Sequence, residues 1–367
     1  MSDPRLTTWV KTLVSYSVRL QPGQLAVVAG GIAAEPLMRA IYKEIVAAGA
    51  HPVVVPSLTG LNAELLTHGS DEQLTWISPV EEMLRTKADV LFNILADTNT
   101  KSMAGVEPAR QQLYSGARAP LMKAFMDRSA RDELRWVLTL FPTDAFAQDA
   151  ELSTADFSDF VFGAMHLNDP DPVARWREQS AEQQRLIDWL QGTSEIHLTG
   201  PGTDLTMSVA DRTWINADGT HNFPDGEVFT GPVESSANGT VAFTYPVVTA
   251  GREISDIVLR FEDGKVVDAR ASKGDDYLQS TLDTDAGARY LGELAFGTNM
   301  SIQRFSKNIL FDEKIGGTIH MAIGAGYPET GNTNQSAVHW DMICDLRRGG
   351  QVTVDGEPFL VEGEYVV

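Results

Sequence analysis

One cysteine, Cys344, is all that the 367 residues contain. A disulfide within the chain is therefore impossible, and a thiolate metal cluster is excluded. Cys344 lies in the apolar stretch Met342-Ile343-Cys344 and reads as a small buried residue. No apolar run approaches the roughly 18 residues that a membrane-spanning helix needs. The opening Met-Ser-Asp-Pro-Arg has no apolar segment behind a basic start, so no export signal is expected. A reducing cytoplasm is the expected compartment. Positive charge is scarce: 29 Lys and Arg face 50 Asp and Glu, for a net charge of −21. Such a surface repels nucleic acid and anionic membrane, which removes both as partners. Several catalytic signatures are missing too. There is no H-E-x-x-H and no G-x-S-x-G, which argues against a zincin and a serine hydrolase. Gly30-Gly31 follows an apolar run, but neither G-x-G-x-x-G nor G-x-x-x-x-G-K-[ST] surrounds it. Those glycines are expected only to turn the chain.

What is present fits a globular enzyme, with 43% apolar and 22% charged residues. The length exceeds one ordinary core, so two domains are expected, with a boundary near Gly192. Residues 1–191 alternate helix and strand patterns: helices over 6–20, 34–48, 80–87 and 118–130, strands over 25–28, 53–55, 90–95 and 136–140. That alternation predicts an α/β domain with a mainly parallel sheet. Residues 172–190 have the pattern of an amphipathic helix. From 192 to 367 strand signals dominate, which predicts a strand-rich α+β domain. Its strands fall at 195–199, 204–209, 227–230, 239–248, 257–262, 265–269, 318–323, 352–354, 359–361 and 364–367. Helices are expected there near 277–282 and 287–293. No internal repeat or low-complexity tract stands out.

The chemistry concentrates late in the chain. Residues 315–341 hold two of the seven histidines, His320 and His339, each inside an apolar, strand-like run. Asp341 follows His339 at a spacing of two, which in a strand puts both side chains on one face while Trp340 points away. Such a pair serves as metal ligands, or as a base with its orienter. Further candidates are Glu227, Glu293, Glu313 and His221. His221 lies in an ordinary loop. Glu293 has apolar neighbours, so its carboxylate sits at a helix edge or is drawn to a buried partner. Buried charges need partners or metals, and two divalent ions would meet that need for Glu227, Glu293, His320, His339 and Asp341 together.

The stretches D-G-E-V-F-T-G-P-V-E-S-S-A-N-G, Y-L-G-E-L-A-F-G-T-N, I-L-F-D-E-K-I-G-G-T-I-H-M-A-I-G-A-G-Y and H-W-D-M-I resemble the M29 family of metalloaminopeptidases, the aminopeptidase T and S group. They run in this order over residues 225–345. The resemblance implies that Glu227, Glu293, His320, His339 and Asp341 are the metal ligands and that Tyr327 is an active-site residue. It implies two divalent ions (zinc, cobalt, manganese or iron), short peptide substrates, a leucine-like preference and a homodimer. The segment between Tyr327 and His339 is shorter than in some relatives, which bears on substrate preference. Peptide hydrolysis needs an activated water and a polarised carbonyl, and two ions about 3.5–4 Å apart supply both. Tyr327 would donate a hydrogen bond to the developing oxyanion, or be an interface aromatic in a Gly-rich loop. Glu313 would act as general base, as orienter of a ligand, or as partner of a nearby lysine. Which carboxylate bridges the ions is left open, with Glu293 as the first candidate.

Two other readings compete. A ring-cleaving dioxygenase on the same scaffold would hold one iron with His320, His339 and Asp341, but would leave Glu227 and Glu293 without a task. A non-enzymatic metal-binding or peptide-binding protein would bind metal without turnover.

Overall fold

The structure is a computed structural model that describes residues 3–249 and 251–367. It resolves into two compact units, residues 1–174 with 219–224, and residues 175–218 with 225–367. The division falls inside the helix Pro172–Leu190, whose Leu186, Ile187 and Leu190 are buried in the core of the second unit.

The first unit holds a wholly parallel five-stranded sheet, in the order His51–Ser57, Leu25–Gly31, Val90–Leu95, Arg135–Leu140, Asn222–Phe223. Helices alternate with these strands, as the sequence pattern predicts. Three details differ. The first strand runs through Gly30 and Gly31 instead of turning there. A Cβ at Gly30 would meet the Ile94 carbonyl oxygen at 2.3 Å, so glycine is needed for close strand packing. The strand expected at 53–55 extends over Pro52 and Pro56; it lies at the sheet edge, where a missing N–H costs little. The helix expected at 118–130 starts at Pro108 and carries Pro120 within it.

The second unit is strand-rich. An eight-stranded antiparallel sheet includes the hairpin Glu195–Gly200 and Thr203–Ser208. A five-stranded antiparallel sheet has the order His339–Cys344, Ile319–Gly324, Leu291–Gly297, Glu227–Thr230, Ile215–Ala217. Both sheets contribute to one buried core. The run expected at 239–248 splits into Asn238–Ala242 and Val247–Thr249. The helix expected near 287–293 is corrected: Leu291–Gly297 is a strand, buried along its whole length. A strand covered on both faces shows no alternation, so its apolar run mimics a helix segment. Cys344 is buried, as expected. Among the described residues, no helix is long and apolar enough to cross a membrane.

Candidate metal centre

Strand alternation and register bring the site together. Asp341 pairs with Ala322, and Ala322 with Glu293. His320 lies two residues before Ala322 and pairs with Ala295; Ala295 pairs with Phe229, two residues after Glu227. Directly paired residues share a face, and so do residues two apart. Glu227, Glu293, His320, His339 and Asp341 therefore rise from one face of the five-stranded sheet. Ala295 and Ala322 sit between them on that face, and their short side chains leave room above the strands. The opposite face carries Leu294, Phe296, Met321, Trp340 and Met342 into the core.

The geometry is close. Glu293 turns its two oxygens to different imidazoles: Oε2 lies 3.2 Å from His339 Nε2 and Oε1 3.7 Å from His320 Nε2. Glu227 Oε2 is 3.5 Å from His320 Nε2, and Asp341 Oδ1 is 3.5 Å from His339 Nε2. His320 Nδ1 donates to the Glu313 carbonyl at 3.0 Å, and His339 Nδ1 donates to the Ala325 carbonyl at 2.8 Å. A carbonyl oxygen only accepts, so Nδ1 carries a proton in both rings, and Nε2 faces the carboxylates, to which it donates when the ring is charged.

Lys314 is the residue that sequence reasoning missed as a member of the site. It is fully buried, with Nζ 2.9 Å from Glu227 Oε1, 3.8 Å from Asp225 Oδ1 and hydrogen-bonded to Glu313 Oε1. The signal was its place inside the D-E-K-I-G-G-T-I-H stretch. The lysine partner weighed for Glu313 is thus present, and it engages three carboxylates at once. Gly226, at φ +124, makes room for this packing: a Cβ there would meet Gln179 Nε2 at 2.4 Å. Gln183 of the long helix donates to the Glu227 carbonyl at 2.9 Å and fixes the start of that strand.

Electrostatics follow from burial and crowding. Burial pushes the Glu227 carboxyl up to about 8, against the pull of Lys314 and His320. Burial acts the same way on Glu293, but hydrogen bonds from His320 and His339 outweigh it and hold that group at about 2. Burial opposes the charged form of His320, yet Glu293, Glu227 and Glu313 raise it to about 10. Burial and four nearby carboxylates push the Tyr327 hydroxyl well above its ordinary range, so it stays protonated as a donor. The Tyr327 ring packs edge-on to His339, with centroids 5.1 Å apart, and against Phe229.

The residues present fit a metal. Glu293, His339 and Asp341 each offer a ligand atom within 4.8 Å of the others, and so do Glu313, His320 and Asp341. Asp341 is common to both sets. Glu227 belongs to neither, whereas Glu313 belongs to one. Two buried carboxylate oxygens, Glu227 Oε2 and Asp341 Oδ1, have no hydrogen-bond partner. An orphaned buried oxygen is costly unless a cation meets it. His221 lies outside the cluster, with its ring 5.0 Å from Trp136.

A carboxylate and imidazole cluster of this kind, on one face of a buried sheet, offers the donor set of a metal centre. The chain belongs to the M29 peptidase family: the family described as thermophilic metalloprotease (M29) matches residues 2–365. It is 30% identical to aminopeptidase 2 of Geobacillus stearothermophilus, over 99% of this chain and 98% of that protein. It is 26% identical to aminopeptidase T of Thermus thermophilus, over 82% of each chain. The solved structure of wild-type AmpT from Thermus thermophilus superposes with a TM-score of 0.86 at 24% identity, covering 99% of both chains. That likeness gives the same α/β and strand-rich fold. The dioxygenase reading has no support in this family or these relatives.

Proposed function

We propose that the protein is an aminopeptidase that hydrolyses the first peptide bond of short peptides, with two divalent ions held by Glu227, Glu293, His320, His339 and Asp341. Relatives named aminopeptidases along nearly the whole chain support this reading. One observation carries the two-ion count. Asp225, Glu227 and Glu313 lie against Lys314, and Glu293 and Asp341 lie against His320 and His339, so the cluster holds five carboxylates and one lysine. With all five ionised and neutral imidazoles, the cluster has four uncompensated negative charges, and two divalent ions carry four positive ones. Zinc, cobalt, manganese and iron all suit this donor set.

Bound ions would supply a polarised carbonyl and a water acidified toward neutral pH. The chain's own groups do the rest. Glu293, with one oxygen toward each histidine, and Asp341, common to both convergent sets, would help to hold the ions. Glu313, its pKa raised by burial and the Asp341 charge against the pull of Lys314, takes the proton of the attacking water and returns it to the leaving amine. Tyr327 donates a hydrogen bond to the oxygen that gains charge at the scissile carbonyl. Catalysis is assigned to the strand-rich second unit, which includes residues 225–367. A cytoplasmic homodimer completes the proposal; sedimentation of the purified chain tests the dimer.

The deciding experiment counts metal per chain after reconstitution and follows amine release from leucyl peptides, for wild type and Glu227→Ala. Two ions per chain, with both occupancy and turnover falling in the variant, support the proposal. One ion per chain with no peptide cleavage overturns it.

A further inference from the structure

The stretch D-G-E-V-F-T-G-P-V-E-S-S-A-N-G holds a second glutamate, Glu234, to which the chemistry above gives no task. It lies in the turn after the strand Glu227–Thr230 and is partly buried. Its two oxygens face two partners. Oε1 accepts from the Thr333 N–H at 2.6 Å and from Thr333 Oγ1 at 2.9 Å. Oε2 accepts from Arg212 Nη2 at 2.7 Å, and Nη1 of the same guanidinium donates to the Gly331 carbonyl. Thr333, Glu234, Arg212 and Gly331 thus form a closed clasp that grips the chain on both sides of Asn332. Tyr327 lies in the same loop, four residues before Gly331. We infer that Glu234 is a positioning residue: with Arg212 and Thr333 it fixes the loop that carries Tyr327 and so holds the Tyr327 ring against His339. The inference rests on the role proposed for Tyr327 in the aminopeptidase reading and adds to it the residues that keep the hydroxyl in place.

The loop between the strands Ile319–Gly324 and His339–Cys344 has one short 3-10 turn, Pro328–Thr330, as its regular structure. Such a segment moves unless side chains tie it down. Here the ties lead to the strands of the metal centre. Asn332 Nδ2 donates to the Pro232 carbonyl at 2.9 Å, in the turn after the strand of Glu227. Asn334 Nδ2 donates to the Gly287 carbonyl at 2.9 Å, and Asp285 Oδ2 accepts from the Ala337 N–H at 2.7 Å, both shortly before the strand of Glu293. The packing leaves no slack: a Cβ at Gly231 would meet Asn332 Cβ at 2.4 Å. From clasp to tyrosine the path is short. Thr330 Oγ1 donates to the Tyr327 carbonyl at 2.6 Å, and the Thr330 carbonyl accepts from the N–H of Thr213, next to Arg212, at 3.0 Å. Burial works against the ionised form of Glu234, yet the Thr333 donors and Arg212 outweigh it and hold that carboxyl below its ordinary range. The clasp is therefore made of charge-assisted hydrogen bonds, roughly twice as strong as neutral ones. A hydroxyl stabilises a developing oxyanion only from a preset position, and a misplacement of about 1 Å costs up to about a hundredfold in rate.

The test uses the full-length, metal-reconstituted protein, leucyl p-nitroanilide and the variants Glu234→Ala and Thr333→Val. Glu234→Ala is expected to lower kcat by about 10–100-fold, with KM within about twofold of wild type and the metal count per chain unchanged. Thr333→Val keeps the backbone donor and should show a smaller loss in the same direction, which Thr333→Ser restores. Thermal melts identify variants that fold, and Thr333→Val serves if Glu234→Ala does not. The decisive readout is coupling. In a Tyr327→Phe background the same substitution should change kcat by less than about twofold, because the group it positions is gone. A merely structural role lowers activity by the same factor in both backgrounds, and that result overturns the inference. A second measurement needs no turnover. With 3-fluorotyrosine at all eight tyrosines, Tyr327→Phe identifies the fluorine resonance of Tyr327. That resonance should shift or broaden in Glu234→Ala and in Thr333→Val. If wild type cleaves no peptide, the aminopeptidase reading falls and the spectrum alone decides. The clasp then stands if the resonance moves or broadens, and falls if it keeps its wild-type position and width.

Discussion

The five-stranded sheet of the second unit has two faces made by the same strands. Glu293 is followed directly by Leu294, His320 by Met321 and Asp341 by Met342. On one face Leu294, Phe296, Met321 and Met342 pack into a dry core. On the other, Glu227, Glu293 and His320 are nearly as inaccessible. Burial therefore does not distinguish the faces; compensation does. The apolar face stabilises the fold by roughly 25 cal/mol for each Å² removed from water. The polar face costs stability until Lys314, the imidazoles and a bound cation offset its carboxylates. A fold that keeps such a face has traded stability for a site.

The sharpest break in the comparison comes from Glu293→Gln. Removing the carboxylate that spans both histidines should lower peptide hydrolysis more than the roughly 10–100-fold typical of losing an orienting partner. Metal occupancy should fall with it. Steady-state kinetics with metal analysis checks this, and wild-type turnover in a metal-depleted variant would refute it. Next in size is Lys314→Met. It leaves Glu227 and Glu313 without their buried cation and should cost about 3–5 kcal/mol of stability in the metal-free protein. Urea unfolding measures the loss, and adding Glu227→Gln should restore part of it. On the opposite face, Met321→Ala should cost about 2–5 kcal/mol through a cavity, while the metal count per chain stays at the wild-type value.

A smaller effect appears with pH. His320 is held at about 10 in the fold against an ordinary 6.5. Its charged form therefore stabilises the metal-free protein fully below 6.5, and that contribution is lost as pH rises through about 10. Melting temperatures of metal-free protein should fall across this window. Saturating metal should flatten the dependence, because a ligating imidazole is already neutral. A flat profile without metal would refute the assignment. The smallest change is expected for Trp340→Phe. The indole Nε1 has no hydrogen-bond partner, so only packing volume is lost, for less than about 1.5 kcal/mol.

Much of the fold was legible because its signals are local. The alternation of the first unit and the helix Pro172–Leu190 follow from periodicity and punctuation. The pairing of His339 with Asp341 on one face needed only the two-residue repeat of a strand. Glu293 was harder. Its strand has no alternation to read, and only the neighbouring strands reveal that residues 291–297 are extended. Lys314 was visible as a letter but not as a partner. A lysine beside a glutamate is ordinarily a solvated pair, and nothing local says that this one reaches Glu227, 87 residues earlier in the chain.

The sequence by itself determined the family, the donor types and their order along the chain, because motif spacing and side-chain chemistry are properties of the chain. The tertiary structure decided which donors meet. Register across four strands, the short Ala295 and Ala322 side chains between the donors, and the buried Lys314 together set which oxygens are satisfied and which are left for a cation. That outcome depends on long-range strand pairing, which local sequence does not encode.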